Sequence, residues 1–173
     1  MSEEDEVKTK NVWMKGHKGR PTLAKYVGSI TMLWSQPVAA LQIKTKEGWR
    51  WVKHIDNALL VNVGDSIEFL TGGFYKGTIH RVVQPPIDQR GYTRLGIIYF
   101  AYLNDNVTLA PLKGSPVLDS AEMELRYEGD EAPTMEAWRV ARVTAYGVSK
   151  LQKSKEPGIE EEVVNGIIVK HYN

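Results

Sequence analysis

Cysteine is absent from the 173 residues. That absence removes disulfides, thiolate metal sites and cysteine nucleophiles together, and it suits a reducing compartment, so a cytoplasmic location is expected. A charge excess of either sign is missing as well: 22 Lys and Arg stand against 21 Asp and Glu, a net +1, which gives no electrostatic case for nucleic acid. The basic residues Lys15, Lys18, Arg20 and Lys25 do cluster, but Glu3, Glu4, Asp5 and Glu6 lie close by in sequence. No apolar run approaches the length of a bilayer span, and the opening MSEEDEVKTK is acidic and polar, unlike a signal peptide; no membrane association is expected. Internal repeats and low-complexity blocks are absent too. What is present is a length that fits one domain with a real core, and five tryptophans with eight tyrosines, which suit broad β faces.

Residues 1–10 are charged and read as a disordered tail; residues 11–173 read as one domain. Within it, short β-rich runs recur between turn signals: Ser29 to Trp34, Ala39 to Thr45, Trp49 to His54, Ala58 to Val63, Ser66 to Leu70, Thr78 to Val83, Arg94 to Tyr102 and Val107 to Leu109. The turns are marked by Ser35-Gln36-Pro37, Lys46-Glu47-Gly48, Gly64-Asp65, Gly72-Gly73, Pro85-Pro86 and Asn104-Asp105-Asn106. Strands at this spacing predict a sandwich or barrel. Beyond Pro133 the period changes. Thr134 can cap a helix to about Tyr146 in which Met135, Trp138, Ala141, Val143 and Ala145 supply apolar positions, with Gly147 as a stop. Lys150 to Glu162 reads as a charged connector, and Val163 to Tyr172 as a last strand or docked tail.

The most informative stretch is Phe74 to Phe100, FYKGTIHRVVQPPIDQRGYTRLGIIYF. It sets His80 and Arg94 at the beginnings of neighbouring strands. A guanidinium is suited to bidentate carboxylate binding, although Arg94 could equally pair with an acid such as Asp88. This stretch resembles the C-terminal half of the iron(II)- and 2-oxoglutarate-dependent dioxygenases, in the isopenicillin N synthase-like branch, whose second metal histidine lies in an HRV-type segment. The family's Arg-x-Ser element, which binds the distal carboxylate of 2-oxoglutarate, is matched by Arg94-Leu95-Gly96, with glycine in place of serine. Gly28-Ser29-Ile30-Thr31-Met32-Leu33-Trp34 is similar to the strand after the family's first metal histidine. Leu41-Gln42-Ile43 with Trp49-Arg50-Trp51-Val52 is similar to its next hairpin, Ala58 to Leu70 to its "vNxGD" strand pair, and the tail from Ala132 to Asn173 to the ending of fungal members.

The resemblance implies a mainly β fold, a double-stranded β-helix of jelly-roll or cupin-like form with a C-terminal helix. It implies Fe(II) as metal, 2-oxoglutarate as cosubstrate, and O₂ and a small organic molecule as the species transformed by hydroxylation or desaturation. It assigns the metal to His17, within Trp13-Met14-Lys15-Gly16-His17, and to His80, and the cosubstrate to Arg94. In the family the first histidine and a carboxylate come as His-x-Asp directly before the "xGSIT" strand. Here Lys18 to Val27 occupies that place with ten residues, none of them acidic, so the motif is interrupted. Two neutral imidazoles without a carboxylate hold iron(II) weakly, and the alternative reading is a non-catalytic or truncated barrel acting as a ligand-binding or interaction domain. The long N-terminal helical region of full-length relatives is expected to be missing. His54 and His171 read as surface or packing residues, Asn62, Gly64 and Asp65 as a turn, and Trp49 with Trp51 as a half-buried strand face.

Overall fold

A computed structural model describes residues 22–24, 28–122, 132–145 and 150–172, the first three by backbone alone. Three antiparallel sheets organise them. The first joins β5 (Leu59–Val63), β2 (Ile30–Trp34) and β7 (Ile98–Ala101) in that order; the second joins β1 (Thr22–Ala24), β6 (His80–Val82), β3 (Leu41–Thr45) and β4 (Gly48–Trp51); the third joins β10 (Ile167–Tyr172), β9 (Ile159–Val164) and β8 (Gln152–Lys153). The first two face each other as a double-stranded β-helix should: Leu33 and Leu60 of one sheet and Leu41 of the other line a single small pocket.

Alternation decides which side of each strand looks inward. In β2, Thr31 and Leu33 point to the interior, and their register partners Asn62, Leu60, Phe100 and Ile98 share that face. Ile30, Met32 and Trp34, opposite Val63, Val61 and Leu59, form the outer face, where Trp34, Leu59, Val61 and Tyr99 are exposed. The second sheet carries a mixed outer face. Arg81 donates to Gln42 Oε1 at 2.8 Å and lies 4.2 Å from the ring centre of Trp49, with Lys44 at 5.2 Å. The Trp49 and Trp51 side is thus the half-buried face that the alternation predicts.

The Ser66 to Leu70 run departs from expectation: it is helix α1 (Asp65–Leu70), not a strand. Gly64 precedes it in extended conformation, and Asp65 opens the helix rather than completing a turn, where an acidic residue is favoured by the unpaired N–H groups. Both Asp65 and Ser66 are fully buried, and Ser66 Oγ bonds Ser29 Oγ at 3.1 Å. Three consecutive buried residues, Phe69, Leu70 and Thr71, satisfy a helix end as well as a strand, which is why a short apolar run was ambiguous. Glu68, also in α1, accepts from Gly77 N at 2.7 Å; a Cβ on residue 77 would meet that carboxylate at 2.8 Å, so a larger residue there would displace the Glu68 carboxylate from this bond.

The remaining boundaries shift in smaller ways. Val107 to Leu109 makes one isolated bridge, Thr108 to Thr134, instead of a strand. Arg94 to Tyr102 narrows to β7, leaving Arg94 in the loop ahead of it. After the short helix α2 (Pro116–Asp119) comes α3 (Met135–Ala145), whose first turn is capped by Thr134 Oγ1 accepting from Ala137 N at 3.2 Å. Tyr146 and Gly147 lie outside the described residues. The supposed connector from Lys150 to Glu162 contains β8 and most of β9, and the hairpin into β10 turns through Asn165 (φ 50°) and Gly166 (φ 77°), the positive-φ pair of a type I′ turn. α3 and this hairpin close an apolar core of Phe69, Leu109, Met135, Trp138, Val164, Ile167 and Val169.

Candidate functional site

His80 opens β6 and is buried. Its Nδ1 lies 2.7 Å from the Thr78 carbonyl oxygen. A carbonyl only accepts, so Nδ1 carries the proton and Nε2 is the lone-pair nitrogen, the form in which imidazole serves as a metal ligand. Burial pushes the pKa below the ordinary histidine value, against a smaller opposing effect of the Thr78 bond, which keeps the ring neutral. Its register partner is Ile43. Leu41, two residues along the same face of β3, lines the small pocket between the sheets, about 7 Å of strand away. His80 therefore belongs to the inward side of its sheet.

Arg94 lines that pocket. It is half-buried, burial pushes its guanidinium pKa down, and its Nε is enclosed with no hydrogen-bond partner. Asp88 does not pair with it. Two cavities meet at this side chain. One, of about 20 Å³, is lined by Leu33, Leu41, Val52 and Leu60, with Ser35, Gln36, Lys53 and His54; it holds about one water. The other is an open cleft of about 540 Å³ that includes Trp34, Gln36, His54, Thr93, Leu95 and Ile97. His80 lines neither of them.

Further buried polar atoms without partners are Thr31 Oγ1 and Asn62 Nδ2, opposite each other on β2 and β5, and Gln36 Oε1 just past the end of β2. Buried polar groups are ordinarily satisfied, so a row of unsatisfied ones facing one interior marks a space built for a polar guest. Sequence reading assigned Gln36 to a turn and Asn62 to a turn, and missed both. The available signal was alternation: Thr31 and Asn62 fall on the same parity as the inward Leu33 and Leu60.

His54 is more engaged than a surface histidine. Its Nδ1 bonds Ser35 Oγ and its Nε2 bonds Asp56 Oδ1, each at 2.8 Å, while Ser35 Oγ accepts from Ile55 N at 3.0 Å. The chain pins the loop after β4 to the end of β2. His171 packs as expected, 3.0 Å from Glu162 Oε1.

Among the described residues no three His, Cys, Asp or Glu side chains gather into a metal site. His80 has the tautomer and neutrality of one iron ligand, whereas His17 and, apart from the backbone of 22–24, the interrupting segment lie outside the described residues. Nor is any helix among the described residues long and apolar enough to cross a membrane.

Comparison with known proteins bears on the family and the fold. The family model described as "2OG-Fe(II) oxygenase superfamily" matches residues 17–101, a span that holds His17, His80 and Arg94. Among curated proteins the chain is similar to a 2-oxoglutarate-dependent dioxygenase, frbH, of Dothideomycetidae sp. (35% identity over 53% of this chain and 28% of that protein). It is also similar to jasmonate-induced oxygenase 4 of Arabidopsis thaliana (32% identity over 50% of this chain and 24% of that protein). The matched stretch thus spans about a quarter of the length of these relatives. Among solved structures, a full-length Neurospora crassa protein in complex with alpha-KG superimposes with a TM-score of 0.56 at 28% identity, covering 73% of this chain and 38% of that one.

Proposed function

From the chain's membership of the 2OG-Fe(II) oxygenase superfamily, we infer that it works as a non-haem iron(II)- and 2-oxoglutarate-dependent oxidoreductase, hydroxylating or desaturating a small organic substrate. The observations that support this reading are a buried neutral imidazole at His80, on the inward side of its sheet, and a half-buried Arg94 whose Nε has no hydrogen-bond partner. In this reading His80 and His17 hold the metal and Arg94 receives the distal carboxylate of 2-oxoglutarate. When bound, iron(II) and 2-oxoglutarate supply the oxygen activation.

The protein's own part is positioning. The Thr78 carbonyl fixes the His80 ring and its tautomer. Arg94 offers charge-assisted donors from a partly desolvated place, where such bonds are strong. The polar row of Thr31 and Asn62 gives the interior groups that orient a small oxygen-rich molecule between them. Because the family match runs through the interrupted His-x-Asp region as well as the barrel, the catalytic reading is preferred to a non-catalytic barrel. The isopenicillin N synthase-like, fungal-type assignment is part of the same proposal.

Direct titration tests it. With manganese(II) standing in for iron under anaerobic conditions, 2-oxoglutarate should bind, and Arg94→Ala should weaken that binding at least about tenfold, the scale of losing a charge-assisted pair. Unchanged affinity in Arg94→Ala would overturn the cosubstrate site.

A further inference from the structure

The proposed chemistry uses the inner face of the β5–β2–β7 sheet and leaves its outer face without a role. To the six outward residues of β2 and β5, strand parity adds Tyr99 opposite Met32, Ala101 opposite Ile30, and Ile97 beside Trp34, whose N–H donates to the Ile97 carbonyl at 3.0 Å. The result is a grid of three by three. Its members are apolar apart from the Tyr99 hydroxyl, and none is Lys, Arg, Asp or Glu. Ile30, Trp34, Leu59, Val61, Ile97 and Tyr99 are between 37% and 73% exposed. An antiparallel sheet that gives one face to water carries polar side chains on it, and scattered exposed apolar residues are ordinary where a contiguous block of them marks a contact surface.

Size and charge point to the occupant. The exposed parts of these six side chains add up to roughly the 800 Å² per partner that a standard-size specific interface buries. In a two-fold contact each patch meets itself, so a charge on it would meet its own like charge; this grid has none to repel. A second copy of the chain therefore offers a face of matching area and matching lack of charge. Two sheets also have a ready way to stack, about 10 Å apart with strand directions within about 30°. We propose that the outer face of this sheet joins two copies of the chain in a closed dimer, sheet against sheet, with Met32 at the centre of the contact. Trp34 and Ile97 belong both to this grid and to the cleft beside Arg94, so the contact borders that cleft.

Sedimentation equilibrium of the full chain tests the dimer, and the expected result is twice the monomer mass, constant as loading rises. Val61 and Tyr99 are 61% and 62% exposed and stand on different strands, so a lysine at either is solvated in a single chain and buried in the contact. Val61→Lys and Tyr99→Lys should each keep the parent circular dichroism and raise the dimer dissociation constant at least about a hundredfold, the scale of burying an unpaired charge. A second measurement does not depend on a lysine variant folding. Because the chain has no cysteine, an introduced thiol is unique: Met32→Cys should be captured as a covalent dimer by a short bis-maleimide, and Val163→Cys, 69% exposed on β9, should not. A monomer at every loading would overturn the proposal and assign the face to another occupant. A dimer unaffected by both folded lysine variants, or equal capture at positions 32 and 163, would place the contact elsewhere, and a mass that climbs without limit would overturn the closed two-fold arrangement.

Discussion

The barrel and the C-terminal region bury different things. Around α3 and the β9–β10 hairpin the enclosed side chains are apolar: Trp138, Leu109 and Met135 are wholly inaccessible, and Phe69 meets Trp138 edge-on at 5.1 Å. Between the two barrel sheets the enclosed side chains include Thr31, Asn62 and His80 on strands, and Gln36 and Arg94 at strand ends, several with unspent hydrogen-bonding atoms. An apolar interior is filled by its own atoms; a polar one with unmet donors is waiting for another molecule's. Stability is thus concentrated outside the cavity that does chemistry, which leaves that cavity open to a guest at limited cost to the fold.

The largest expected effect breaks the first half of this contrast. Trp138→Ala should lower the unfolding free energy by about 3–5 kcal/mol in urea titration, because it empties the centre of the apolar cluster. If the division holds, 2-oxoglutarate affinity measured well below the unfolding transition should barely change.

Next in size is the one charged group inside the C-terminal region. Arg142 donates to Glu162 Oε1 at 2.8 Å, both being buried, with Asp65 Oδ2 4.0 Å from its Nε and His171 Nε2 3.0 Å from the same Glu162 Oε1. The network ties α3 and the hairpin to α1. Glu162→Gln keeps the shape and removes the charge, leaving a buried cation poorly compensated, and should cost about 3 kcal/mol. A double-mutant cycle with Arg142→Met should return part of that, since the uncompensated cation is removed with its partner while Asp65 stays buried; simple additivity would show that the pair is not coupled.

The smallest effect sharpens the other half. His80 has a folded pKa below its ordinary 6.5, so the unfolded chain binds the proton more readily. Its contribution to stability is fully present above pH 6.5 and is lost as pH falls from there through the folded value. Comparing urea midpoints at about pH 7.5 and about pH 5.5, His80→Gln should show a shallower acid loss than the parent. An identical pH slope would mean that the ring is hydrated in the folded state.

The sequence made the barrel legible because its strands carry both alternation and turn residues: seven of the eight β-rich runs lie at strands or, for Val107 to Leu109, at a single bridge. Ser66 to Leu70 misled, since five residues of mixed apolar and polar type have no period long enough to separate strand from helix. The β9 strand was hidden by Glu160, Glu161 and Glu162, which read as a solvated run, although Glu162 is buried against Arg142. That pairing depends on a residue twenty positions earlier and leaves no local trace. His80 and Arg94 stood out because histidine and arginine at the head of apolar runs are unusual, whereas Gln36 beside a proline looks like any turn residue.

The Asn165-Gly166 turn has a consequence in time. Its backbone is preset for a two-residue hairpin, so β9 and β10 can zip from neighbouring residues, on the scale of about 1–10 μs for such elements. The barrel must instead bring Ile30 to Ala101 before β2 and β7 can pair, a loop closure that is entropically expensive and slow. The β9–β10 hairpin is therefore able to form before the distant strands of the barrel have met.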